Sequence, residues 1–228
     1  YKTSLILIFL LLGISPWAFS ALPGMSSKHL RLVKDLMNNN LAYSQDATTT
    51  NIIEWEEEIV DSLRQKKDYR NMFLMRQMAV YAYSLQAKIS EALKKADAMM
   101  DEARLMKYNI GISLSYQALG DIYLNAGMRP EAVEEYEKAM KTLQATPHAE
   151  KIQERIFIQL VPTLIKLKRM DEAKAYLEHM SEICESKCLS PFLLYAYHAY
   201  YYLRNNDLSK AREYIDEAIK INSRTPSH

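Results

Sequence analysis

Four alanines, Ala92, Ala132, Ala173 and Ala211, recur at spacings of 40, 41 and 38 residues along the 228-residue chain. Each sits in a similar phrase: Glu91-Ala92-Leu93, Glu131-Ala132-Val133, Glu172-Ala173-Lys174 and Lys210-Ala211-Arg212. A small residue returning at one phase of a helical apolar pattern marks a place where two helix backbones approach closely. Recurrence at a fixed period means that the same contact is built again and again, each unit burying its face on the next. That excludes a single centrosymmetric core. It demands a stack.

The unit is sharpest around Leu119–Ala139. Taking Ser113 as its first position, the marked residues are Tyr116, Leu119, Gly120, Tyr123, Gly127, Ala132, Tyr136 and Ala139. Gly120 and Ala132 leave room for a helix crossing, and Tyr116, Leu119, Tyr123 and Tyr136 supply apolar bodies around it. By this reading Gly120→Leu overpacks the crossing, while Gly120→Ala is near neutral or stabilising. Gly127 suits a left-handed C-terminal cap, and Pro130 the first turn of the next helix. Later units keep Phe157, Leu160, Leu164, Ala173, Leu177 and Met180, then Tyr195, Ala199, Tyr202, Ala211, Ile215 and Ala218. An earlier, degenerate one keeps Tyr83, Ala92, Ala96 and Met99. This pattern resembles the tetratricopeptide repeat, a helix–turn–helix unit of about 34 residues. The resemblance implies an all-α, TPR-like α-solenoid of antiparallel hairpins forming a right-handed superhelix. Repeats are expected near 73–106, 113–146, 154–187 and 192–225, within an array spanning 69–225.

Composition agrees with a helical stack. Glycine is scarce, at five residues, and no run alternates apolar and polar residues with β-branched enrichment, so no strand is expected. A net charge of +1 offers no field to attract nucleic acid. Phosphate-loop, metalloprotease, zinc-ribbon and nucleophile-elbow patterns are absent, and the five histidines do not cluster. No enzyme, cofactor or metal is expected. His198 falls where the repeat carries an inward apolar residue, which suits a hydrogen-bonded core histidine.

The N-terminus reads YKTSLILIFLLLGISPWAFSALPG. Lys2, an apolar core from Leu5 to Ile14 and small residues before Ala21 form the pattern of a signal peptide at 1–20, cleaved after Ser20. The expected location is therefore the bacterial periplasm. The chain opens on Tyr rather than Met, so a longer parent is expected. In an oxidising compartment Cys184 and Cys188 favour a disulfide where a helix is ending, with free thiols the alternative.

Residues 21–68 are read as a divergent first hairpin. Its first helix starts at Ser26 or Ser27 and runs to Asn38. After a polar connection to Asn51, Thr50 caps a second helix with Ile52, Trp55, Ile59 and Leu63 inward. Glu54, Glu56, Glu57 and Glu58 then lie near its positive N-terminal end. Helices follow at about 69–86, 90–105, 109–126, 130–145, 149–168, 171–185, 191–205 and 208–222. Pro162 interrupts one of them and is expected to kink it.

Family repeats commonly grip a peptide or a helix along the stacked first helices. Carried over by register, the resemblance puts Gln77, Tyr81, Gln117, Asp121, Asn125, Arg155, Lys166, Tyr200 and Arg204 on that face, with Tyr197 beside it. The Lys and Asn that clamp a carboxylate in chaperone adaptors are replaced by Gln117 and Asp121, and by Ile158 and Pro162, so an acidic C-terminal peptide is not expected. The expected partner is a protein or peptide, with self-association as a dimer also open and a membrane reached only through a C-terminal extension. Export with roughly 40-residue repeats resembles the extracytoplasmic sensing regions of bacterial membrane histidine kinases and related regulators. The alternative is a free-standing periplasmic scaffold, or an accessory subunit of an uptake or secretion complex.

Overall fold

A computed structural model describes residues 45–187 and 191–224, with side chains for 50, 52–183 and 191–221. Among these residues there are nine α-helices and no strand. They are α1 (Gln45–Gln65), α2 (Tyr69–Leu85), α3 (Ile89–Leu105), α4 (Asn109–Asn125), α5 (Arg129–Leu143), α6 (Glu150–Lys166), α7 (Met170–Lys187), α8 (Pro191–Arg204) and α9 (Leu208–Arg224). The chain divides into two compact units, one ending at Pro147 and one beginning at His148. The architecture is an all-α, TPR-like solenoid of helix hairpins. The signal-peptide stretch 1–20, the helix from Ser26 or Ser27 to Asn38, and the Cys184–Cys188 pair lie outside the described residues or side chains.

The 40-residue period has a simple origin. α2, α3 and α4 are each 17 residues long, and each connection is a three-residue turn. Two helices and two turns make one period. The middle turn residues Lys67, Ala87, Lys107 and Gly127, at 20-residue intervals, all have positive φ, as do Lys168 and Asn206. In every case the next N–H reaches back to a carbonyl five residues earlier: Asp68 to Leu63, Lys88 to Tyr83, Tyr108 to Ala103, Met128 to Tyr123, Arg169 to Leu164 and Asp207 to Tyr202, at 2.9–3.0 Å. This is the Schellman closure, which satisfies helix-end carbonyls. Gly127 and Asn206 are the residue types that favour it. The lysines and the alanine adopt the left-handed conformation at about 1–2 kcal/mol each, offset by the closure and by helix packing.

Two expectations for the first described helix need correction. α1 begins at Gln45, so Thr50 lies inside it rather than capping it. The glutamates are consequently mid-helix rather than near its N-terminal end, and Glu56 is buried at 1% exposure. Its carboxylate pairs with Lys95, and Arg76 Nη1 stands 3.5 Å away. Arg76 and Arg64 both reach Glu102, at 2.9 and 2.8 Å, so one ionic network joins α1, α2 and α3. Burial works against both charges of the Glu56–Lys95 pair. It pushes the fully enclosed Glu56 above the usual carboxylate range, whereas the more open Lys95 ends above its ordinary value because Glu56 and Glu57 both face it. Ile59 and Leu63 are buried, while Ile52 and Trp55 are half-buried.

Of the repeat-core residues, Gly120, Ala132, Tyr136, Ala139, Ala173, Ala199, Ala211 and Ala218 are buried. Tyr116, Leu119 and Tyr123 are half-buried, and Gly127 sits in its exposed turn. A Cβ added at Gly120 would lie 2.5 Å from Tyr136 Cε1, so the expectation that Gly120→Ala is neutral is overturned. Gly111 is a second close approach: its Cβ would meet Ala103 Cβ at 2.9 Å and the Phe73 ring at 3.0 Å. Ile215, expected inward, is 45% exposed.

Candidate functional site

In the N-terminal unit the first helices of two successive hairpins, α2 and α4, bring together Gln77, Tyr81 and Ser84 with Gln117, Asp121 and Asn125. Spacings of three and four residues put each trio on one helix face. The Gln77 amide donates to Asp121 Oδ2 at 3.2 Å, and the Tyr136 hydroxyl, coming from α5, donates to Asp121 Oδ1 at 2.7 Å. Asn125 donates to Ser84 Oγ at 2.8 Å, and Ser84 donates onward to the Tyr81 carbonyl at 2.8 Å. Burial, aided by the Asp121 charge, pushes the Tyr81 phenol up to about 12. The Tyr136 phenol is also pushed well above its ordinary value, because it is enclosed and Asp121 holds its hydroxyl proton.

This geometry corrects part of the expected contact surface. Gln77 and Gln117 are each 2% exposed and Asp121 6%, so they lie within the packing between helices rather than on a surface. A buried carboxylate must be hydrogen-bonded, and Asp121 is held from two helices. Tyr81 remains half-buried and Asn125 exposed.

The C-terminal unit gives a similar split. Arg155 is buried, whereas Lys166 and Arg204 are exposed and Tyr200 is half-buried. Tyr197 has an internal task. Pro162 stands inside α6 and has no N–H to give to the Ile158 carbonyl four residues earlier. The Tyr197 hydroxyl, from α8, donates to that carbonyl at 3.1 Å, while its ring packs edge-on against Phe157 with centroids 5.6 Å apart. Burial pushes its phenol far above the ordinary tyrosine range. Tyr197 is thus a strut replacing a missing helix hydrogen bond, and not a residue standing ready for a partner. The sequence held both halves of this pairing, proline and tyrosine, 35 positions apart and with no local sign of their meeting.

Of the other tyrosines of PFLLYAYHAYYYL, Tyr195 and Tyr202 pack against α9, while Tyr200 stays half-buried. Tyr202 and His198 stack on Tyr214, with centroids 5.4 and 4.6 Å apart, and Tyr195 lies at 6.0 Å. Ser181 donates to the Leu177 carbonyl at 2.9 Å, so its oxygen accepts from His198 Nε2–H at 3.1 Å. Burial holds His198 below its ordinary value, against the pull of Glu178. Among the described residues no helix is long and apolar enough to cross a membrane.

A family model described as Tetratricopeptide repeat matches residues 114–142 and 194–225. These stretches are most of α4 and α5 in one unit and α8 and α9 in the other, the hairpins carrying the two most regular forms of the repeat. No curated protein matches the chain. Repeats of this kind support a protein–protein interaction module.

Proposed function

We propose that the chain is a non-catalytic, extracytoplasmic module that binds a protein or peptide through the first-helix faces of its repeats. We further propose that it is the periplasmic sensing region of a membrane histidine kinase or related regulator. One observation carries the binding part. Asn125, Lys166 and Arg204 occupy the same position near the ends of three first helices, and all three are exposed. Tyr81 and Tyr200 share another position one turn earlier and are half-buried. Once the inward-facing polar groups are set aside, Asn125 is left open on the N-terminal unit and Lys166 and Arg204 on the C-terminal one, all at the same register. Exposed polar chains at a fixed register contribute little to packing, which suits contact with a partner. Export rests on the N-terminal pattern of Lys2, the Leu5–Ile14 core and the small residues before Ala21.

The test is site-specific photocrosslinking in cells from Asn125, Lys166 and Arg204, with exposed Glu134 on α5 as control. A discrete adduct from the three positions and none from Glu134 is the expected outcome. Equal labelling from all four would remove the assigned face. N-terminal sequencing of the processed protein should begin at Ala21. Reading the gene past residue 228 decides the sensor assignment: an apolar span followed by a kinase or regulator domain is expected, and a stop codon would exclude it.

A further inference from the structure

The last described helix carries an apolar stripe whose counterpart elsewhere in the chain is covered. In α3 the corresponding face is Ile89, Ala96 and Met100. Ala96 packs with Ala118 and Ile122 of α4 in one cluster with Ala92 and Val80, and Ile89 and Leu119 lie against it. Met100 is only 6% exposed. Aligning α9 on α3 by the left-handed residues that precede them, Asn206 and Ala87, puts Leu208, Ile215 and Ile219 at those three positions. Here they are 63%, 45% and 59% exposed. The adjacent side of α9 is already engaged: Ala211 and Ala218 are buried, and Tyr214 stacks on Tyr202 and His198 of α8. α9 is therefore apolar on two sides, and three aliphatic side chains in line face solvent.

The α3 precedent says what such a face receives. α4 covers it as the next helix after a three-residue turn, and so runs antiparallel to α3. The flanking charges say which helix fits. Arg212 and Asp216 lie one turn apart on the same edge of the stripe, and both are exposed. When two copies of α9 lie antiparallel about a two-fold axis, like edges meet. Arg212 of each copy then faces Asp216 of the other, giving two identical ion pairs beside the aliphatic contact. We propose that the outward face of α9 is a self-association surface, on which the α9 of a second copy packs antiparallel across Leu208, Ile215 and Ile219. This inference stands apart from the partner-binding reading, since it uses none of those residues.

Sedimentation equilibrium of the full chain, taken into the millimolar range, should show a monomer–dimer equilibrium. Ile219→Glu should weaken it by roughly tenfold or more, because a carboxylate would be enclosed opposite isoleucine. Its thermal melt should match the parent, since the site is exposed in the monomer. Arg212→Asp and Asp216→Arg should each weaken dimerisation. An equimolar mixture of those two variants should recover it as a heterodimer, because both cross-pairs are then opposite in charge. A chain that stays monomeric throughout overturns the proposal, as does a dimer indifferent to Ile219→Glu. Failure of the mixture to recover would remove the antiparallel register, and with it the assignment. A foreign helix found on this face in a monomeric chain would overturn the second-copy assignment too.

Discussion

Tyr136 and Tyr197 solve the same problem in the two units by different means. Each sends a hydroxyl from one helix to an oxygen buried on another. In the N-terminal unit the acceptor is the Asp121 carboxylate, reached across the Gly120 crossing within a single hairpin. In the C-terminal unit it is the Ile158 main-chain carbonyl, freed by Pro162 and reached from the next hairpin. The first arrangement depends on a charged acceptor and a glycine; the second depends on a proline. What differs is how each fails. Removing Tyr136 takes one donor from a buried carboxylate, whereas removing Tyr197 strands a neutral carbonyl that a single substitution elsewhere can satisfy.

The largest effect is expected at the crossing. Gly120→Leu should cost about 3 kcal/mol or more, since its side chain would have to displace the enclosed Tyr136 ring. Gly120→Ala should still cost about 1–2 kcal/mol: the clash of Cβ with the ring exceeds the helix-propensity gain of about 1 kcal/mol. Chemical denaturation of both variants would check this, and an unchanged Gly120→Ala midpoint would mean that Tyr136 moves aside freely.

Next come the tyrosines themselves. Tyr136→Phe should destabilise by about 2 kcal/mol, the range for hydrogen bonds to charged groups, because Asp121 loses a buried donor. Tyr197→Phe should cost about 1 kcal/mol, as a neutral acceptor is left unpaired. Pro162→Ala restores an N–H to Ile158, so on that background Tyr197→Phe should be close to neutral. The double-mutant cycle tests the strut directly. Additive losses would show that Tyr197 and Pro162 act independently.

The repeat was legible in the sequence because its markers are small or aromatic residues at fixed intervals, set by helix crossing. Helix ends came within a residue or two wherever a cap or periodic face was strong, and missed at α1, where QDATTT reads as a connection but continues the helix back to Gln45. The turns at Lys67, Ala87, Lys107 and Lys168 were silent, since these residue types carry no mark of a left-handed backbone. Which of the first-helix polar residues are open was not legible. Register put Gln77, Gln117 and Asp121 on one face of their helices, but register cannot say how tightly α2 and α4 close on one another. That depth depends on side chains from a third helix, such as Tyr136, and no single helix records it.

A smaller effect separates the units by pH. His198 is held below its ordinary value of 6.5 by burial among Tyr214, Ser181 and the face of α7 that carries Glu178. A base depressed in the folded state stabilises the fold above its unfolded value and loses that contribution as pH falls through its folded one. Stability of the C-terminal unit should therefore decline as pH drops below 6.5. His198→Phe should flatten the decline, read as urea midpoints between neutral pH and about pH 5. A slope unchanged by the substitution would place the acid response in other groups.

The smallest stability effect should come from the open row of polar side chains, where function is at stake. Lys166 and Arg204 are exposed, so replacing either by alanine removes only solvated contacts, and each change should stay within about 0.5 kcal/mol. Asn125→Ala is the sharper case, because Asn125 does donate to Ser84. Ser84 would lose only an accepted bond, while its own proton still goes to the Tyr81 carbonyl, so no buried donor is stranded. Asn125→Ala should therefore fall with the other two. Asp121→Ala, four residues earlier on the same helix, should destabilise clearly, because it takes the acceptor from Tyr136 and Gln77 at once. The triple variant Asn125→Ala, Lys166→Ala, Arg204→Ala should melt within a few degrees of the parent yet lose the photocrosslinked partner in a pull-down. If it melts like the parent and holds the partner unchanged, the binding face lies elsewhere. If it unfolds, these three side chains belong with Asp121 and the division between inner and outer polar residues fails.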